Sequence, residues 1–290
     1  MTAWGRFVTA CSRQEDDRAL QAVRIAVCCV VALDLLRVAQ LGLVAQLFVP
    51  YEAGGMVGES HWAWVFDRVL PPAVAGPTLW ATTLGCMVLG ALGIAARPAL
   101  VVGALAYAQL GHLDPGADLG IDRLLRTVML LLAVGGPPAL SPWRAFQGGA
   151  ARLTRAWPRL LLLWVLVLVY LSAGTAKLVN QPAWVVPHGR PVLYRILADP
   201  LAGRLDAVAV QGWDWLFTLL GQGTIALELS APLLLTRFAP RWAVGAVVMH
   251  LGIAGLMHLG MFSWGMLALY PAVYAGPVID WLARRRRGLG

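Results

Sequence analysis

The sequence predicts an all-α protein, a polytopic transmembrane helix bundle of about eight spans, with both termini cytoplasmic and no sizeable soluble domain. Three observations predict it. Hydrophobic residues make up 59% of the chain and charged residues 13%, with a mean hydropathy of +0.69; a soluble domain carries about twice that share of charge. Apolar runs of membrane-crossing length recur along almost the whole chain, where backbone groups must be satisfied inside helices and charge is excluded. Arginines gather between those runs, unevenly on alternate sides.

Taken in order, a polar tail over 1–22 precedes a membrane domain over 23–282, and a basic tail over 283–290 follows it. The spans fall at 23–48, 78–96, 99–113, 121–139, 160–178, 215–235, 243–261 and 262–282. Several of the 13 tryptophans stand at span ends, among them Trp80, Trp157, Trp184, Trp213, Trp242 and Trp264, as an interfacial belt places them. If the N-terminus is cytoplasmic, eight spans leave fifteen basic residues on the cytoplasmic side and seven outside, with Arg37 inside a span. That bias predicts N-in and C-in, a multi-pass protein of the cell membrane.

The net charge of +8 raises nucleic acid as a partner. The distribution of arginine argues for the lipid bilayer instead, because the run at 284–287 directly follows an apolar segment as a stop-transfer flank does. Cys11, Cys28, Cys29 and Cys86 lack ligand spacing, and Cys28 and Cys29 lie inside the first span. The first twenty residues are too polar, and the run after them too long, for a signal peptide. Two outer segments, 51–77 and 180–212, are longer than a connection requires. Each is apolar enough to lie on the membrane or fold over an outward-facing cavity, the first through His61-Trp62-Ala63-Trp64-Val65-Phe66.

Ionisable residues within spans are expensive and therefore informative. Asp34 and Arg37 are three apart on one helix face. Glu228 and His250 each stand seven residues from a shared short loop, hence at equal depth, roughly 10 Å in. An inner polar network of Asp34, Arg37, Glu228 and His250 follows, serving either helix packing or proton transfer. No metal site is expected. His250 and His258 are about 12 Å apart along a helix axis and cannot share one ion.

Lys177 is the only lysine among 23 basic side chains. An arginine is a fixed cation, whereas a desolvated lysine can release its proton and act as a base. Ala173 and Gly174 one turn back are small, Tyr170 lies two turns back, and that face has room for a flat ligand. From spacing alone, a lysine snorkelling at the membrane boundary accounts for it equally well.

Several segments together resemble the HTTM family, the transmembrane module shared with vitamin K-dependent gamma-glutamyl carboxylase. They are Tyr170-x-x-Ala173-Gly174-x-x-Lys177-Leu178 followed by Trp184, His112-x-Asp114 with Gly116 and Asp122, and Pro137-Pro138-x-x-Ser141. Glu228-x-x-x-Pro232, His250-Leu251-Gly252 and Phe262-Ser263 complete the set. The resemblance implies an outward-facing pocket holding a reduced, vitamin K-like quinone, with Lys177 as general base and His112 assisting. Tyr170, Ala173, Gly174, Trp184 and His258 are the expected pocket residues. Unlike the carboxylase, the chain has no large soluble part after its last span. A quinone- or lipid-dependent enzyme is therefore one expectation. A non-catalytic membrane subunit, partnering a soluble or secreted protein or peptide in its maturation or export, is the other. A solute transporter is the weakest reading, since no inverted repeat is visible.

Overall fold

Apolar runs rich in Leu, Val and Ala become helices because each residue fixed in a helix closes one backbone hydrogen bond and exposes only hydrocarbon. A computed structural model describes residues 2–49, 54–55, 71–113, 118–141, 152–186, 189–206 and 210–274. The described chain forms two compact units, Met1–Pro158 with Tyr274–Gly290 and Arg159–Val273.

The first unit begins with α1 (Ala3–Ser12), whose first turn is capped by Thr2 Oγ1 accepting from Gly5 N at 3.1 Å. Strand β1 (Gln14–Asp16) follows and pairs antiparallel with β2 (Leu153–Arg155), Gln14 standing opposite Arg155. The polar segment before the first span thus contains a helix and a strand. Neither strand shows alternation over enough residues to be read, and the pairing joins segments far apart in the chain.

Next come α2 (Arg18–Gln40), α3 (Pro72–Leu92), α4 (Ala96–Leu113) and α5 (Gly120–Gly135). Successive helices from α2 to α5 pack as neighbours, and α2 also meets α5. The first span, expected over 23–48, starts earlier and stops at Gln40. The chain then turns through Gly42 at φ 70°, a conformation that glycine adopts without strain, into a short 3-10 turn, Gln46–Phe48. Helix α3 ends at Gly93, also left-handed at φ 79°. Buried Arg24 closes this corner. Its guanidinium donates to Gly90 O, to Ala91 O at 3.2 Å and to Leu140 O at 2.5 Å, and Gln21 Oε1 accepts from it at 3.0 Å. The end of α3 is closed jointly: Gly93 N and Ile94 N donate to Gly90 O and Leu89 O, and Arg24 adds donors to Gly90 O and Ala91 O.

The second unit contains most of α6 (Trp157–Asn180), then a 3-10 turn Pro182–Trp184, α7 (Val192–Ala198) and α8 (Asp214–Leu229). After α8 the chain tightens into the 3-10 turn Ala231–Leu235, where Pro232 offers no N–H, and continues into α9 (Ala239–Leu256) and α10 (Phe262–Leu267).

Among the described residues, four helices are long and apolar enough to cross a membrane: Arg18–Gln40, Ala73–Leu92, Trp157–Asn180 and Ala239–Leu256, with mean hydropathies of 2.1, 1.3, 2.0 and 1.2. The other predicted spans differ in kind. Helix α5 carries Asp122, Arg123 and Arg126, and α8 stops at Leu229; of the span expected over 262–282, the part over 275–282 lies outside the described residues. Large apolar side chains such as Val134, Leu168 and Val248 are more than half exposed, as on a surface that lipid covers. The segment His61–Phe66, Asp114, Gly116 and the tail over 283–290 lie outside the described residues.

Candidate functional site

Helix α6 presents Tyr170, Gly174 and Lys177 at spacings of four and three, hence on one face. Gly174 is buried there, and a Cβ added to it would come within 2.9 Å of Glu228 Cβ on α8. The glycine therefore lets α8 approach closely enough for Glu228 to reach over it. Lys177 Nζ donates to Glu228 Oε1 at 2.5 Å; the lysine side chain is 22% exposed and the glutamate 6%. Glu228 Oε2 is buried without a hydrogen-bond partner among the described residues.

Trp184 lies with its ring centroid 5.6 Å from Lys177 Nζ and holds its indole N–H on Gln181 Oε1 at 2.9 Å. The opposite side of this loop is pinned to α8 by Gln222 Nε2 donating to Val185 O at 2.9 Å. The amine therefore faces an aromatic surface on one side and a carboxylate on the other.

Farther along α6, Tyr170 Oη lies 2.6 Å from His250 Nε2 on α9 and is hydrogen bonded to Tyr270 Oη. Trp242 packs edge-on against the Tyr170 ring at 5.0 Å, and its indole N–H donates to Leu227 O and Ser230 Oγ, both at 3.0 Å. Trp242 thus ties the tyrosine cluster to the end of α8 that carries Glu228. His250 Nδ1 and Ser263 Oγ are buried and have no hydrogen-bond partner among the described residues.

Lys177 and Trp184 are brought together with Glu228 over Gly174, with partly buried Ala173 beside them on α6, whereas Tyr170, two turns back on the same face, joins His250 and Tyr270. Glu228 and His250 are not joined to one another: the carboxylate goes to Lys177 and the imidazole to Tyr170. This corrects the depth reasoning, which set Glu228 and Lys177 toward opposite faces of the membrane. Depth was counted from the end of a straight span at residue 235, but α8 ends at Leu229 and the following residues fold back in a 3-10 turn. Tyr270 was not singled out in the sequence, where nothing distinguishes it from an interfacial tyrosine. His258 is exposed, its backbone N–H donating to Ala202 O at 2.7 Å.

The remaining predicted residues lie in the first unit. His112 is exposed in the last turn of α4. Arg37 is exposed on α2, while Asp34 lines a cavity of about 110 Å³ together with Trp80, Tyr107, Asp118, Asp122 and Arg126. Tyr107 donates to Asp122 Oδ1 at 2.6 Å, and Asp122 Oδ2 accepts from Leu119 N at 2.8 Å, anchoring the start of α5. Arg126 and Arg123 both hold the Asp118 carboxylate, at 2.8 and 2.9 Å. Burial of Asp118 works to raise its pKa, but the two arginines together outweigh it and hold the carboxyl below the usual range.

No known family, curated protein or solved structure matches this chain.

Proposed function

We propose that the chain is a multi-pass protein of the cell membrane, with about eight helical segments in the bilayer and both termini cytoplasmic. We further propose that it is an enzyme of the HTTM type whose chemical centre is the Lys177–Glu228 pair, acting on a membrane-borne quinone or lipid headgroup. The observation that carries the reading is a buried carboxylate with one oxygen on a lysine amine and the other without a partner among the described residues. Structural ion pairs away from water normally satisfy both oxygens, because each unpaired polar atom there costs about 1–3 kcal/mol.

The pair has a definite chemical capacity. Glu228 Oε1 lies at proton-transfer distance from Nζ, so the pair can exist as ammonium and carboxylate or, after one transfer, as amine and carboxylic acid. The amine is then left with a free lone pair, able to take a proton from a hydroxyl placed against it. Glu228 Oε2 can accept a hydrogen bond from that same substrate, and the Trp184 face offers a wall for a flat ring. A reduced quinone fits this donor set and would supply the acidic hydroxyl and the reducing electrons.

The test compares Lys177→Arg with Lys177→Ala. Arginine keeps the charge and the contact with Glu228 but cannot serve as a base near neutral pH. The enzyme reading expects lipid extracts of purified wild type to contain a quinone or modified lipid, and the Arg variant to fold normally while losing the associated host phenotype. Wild-type behaviour of the Arg variant refutes a base at this position.

The same ion pair favours a second reading. It clamps α6 to α8 over Gly174, as a structural bridge would in a non-catalytic subunit that assists maturation or export of a secreted peptide. Arginine should then substitute for Lys177 with little loss, and a partner protein should copurify.

A further inference from the structure

Between α7, α8 and α9 runs an apolar groove of about 370 Å³, within the range of small-ligand sites. Its walls include Leu220, Gly223, Leu227, Gly245, Val248 and Leu256. Glycines on neighbouring membrane helices usually mark close packing. Here a Cβ added to Gly223 or to Gly252, another lining residue, would meet nothing within 4 Å. These glycines widen a space rather than close one.

We propose that this groove holds one acyl chain of an anionic phospholipid, with the lipid phosphate at Arg204 and His258. The dimensions fit a single chain. From Gly245 to Leu256 the groove follows α9 for about 16 Å at the helical rise, half the roughly 30 Å hydrocarbon thickness and so the depth of one leaflet. The interior offers nothing to recognise a polar ring: the one hydroxyl on its wall, Thr224 Oγ1, is already donated to Leu220 O at 2.9 Å.

The chain at the mouth is polar and carries charges of both signs, with Arg204 and His258 on the two paired segments and exposed Asp199 and Asp206 on the same stretch as Arg204. At the Leu256 end the backbone of 202–204 pairs with that of 256–258: Arg204 N donates to Leu256 O at 3.0 Å and His258 N to Ala202 O at 2.7 Å. Arg204 and His258 therefore flank the residues that close the groove, and both side chains are exposed. A fixed guanidinium beside a one-leaflet apolar channel complements a chain ending in a phosphodiester.

The inference rests on the membrane placement proposed above and not on the chemistry of Lys177. The full-length protein, purified in mild detergent, is examined by native mass spectrometry and by analysis of extracted lipids. One retained phospholipid per chain is expected. Gly252→Leu fills open space and should expel it. In vesicles mixing phosphatidylglycerol with phosphatidylcholine, Arg204→Glu should lower phosphatidylglycerol retention roughly tenfold relative to phosphatidylcholine. The exposed Arg204 variant decides the matter even if Gly252→Leu does not fold. Lys177→Ala should leave lipid retention intact, so failure of the chemical reading and failure of this one are distinguishable. A wild-type protein carrying no phospholipid, a neutral isoprenoid in its place, a lipid-free dimer, or equal retention of both lipids by Arg204→Glu overturns the proposal.

Discussion

Replacing Glu228 by Gln removes the anion beside Lys177 while keeping nearly the same shape. The lysine is 22% exposed and the glutamate 6%, so the glutamate is effectively inside and the amine partly outside. Breaking a fully buried ion pair costs about 3–5 kcal/mol, because a charge is stranded in low dielectric. Lys177 can swing toward the interface, as long basic side chains do, which brings the expected loss to about 2–3 kcal/mol. Lys177→Met should cost more than Glu228→Gln, since the stranded carboxylate lies deeper and cannot move out. The double variant removes both charges, so it should be no less stable than Lys177→Met alone, with a coupling energy of about 1–3 kcal/mol. Reversible unfolding in mixed micelles of mild and denaturing detergent, followed by circular dichroism, measures all four corners of the cycle. Losses that add within about 0.5 kcal/mol would show that the two groups do not sense each other. The pair would then be dismissed as a unit, either of chemistry or of packing.

Three other outcomes can be checked. Arg24→Met should destabilise the first unit by roughly 2–4 kcal/mol, by removing the side-chain donor from Ala91 O and Leu140 O, and Arg24→Lys should recover only part of this because an ammonium lacks the planar fork; thermal melting in detergent reads both. Asp118 has a folded-state pKa below its unfolded value, so its contribution to stability is fully present above the ordinary carboxylate range near 3.9 and is lost as pH falls through the lower, folded-state value. Asp118→Asn should flatten that acid limb of a pH–stability curve, and an unchanged limb would assign it to other carboxylates. For topology, reporter fusions at Gly290 and in the loop at 148–151 should read cytoplasmic and one at Gln181 exterior; an exterior signal at Gly290 would mean an odd number of crossings.

The candidate site was partly legible in the residues. Lys177 stands out because it is the one lysine of the chain, and the Tyr170–Gly174–Lys177 face follows from helical spacing alone. Glu228 was marked as an intramembrane carboxylate, yet its partner was misassigned, because residue counting measures height along a straight helix and says nothing of where a helix ends or which way a side chain turns. Helix α8 ends at Leu229 and a 3-10 turn follows, and Glu228 in its last turn meets Lys177 rather than His250. Tyr270 and Trp242 entered only through packing, each resembling an ordinary interfacial aromatic in the sequence.

The sequence by itself determined that this is a mostly helical chain of apolar segments, since composition and hydropathy act locally and each helix satisfies its own backbone. It did not determine the caps and corners. Arg24 counts in the sequence as one more cationic flank, but it is buried against α3 because the end of a helix inside a protein must find donors for its last carbonyls. Nor did it reveal the antiparallel pairing of Gln14–Asp16 with Leu153–Arg155, whose short polar strands acquire their identity only from each other. Which polar groups share a hydrogen bond depends on azimuth, helix termination and side-chain reach together. Those quantities exist only once the helices have packed.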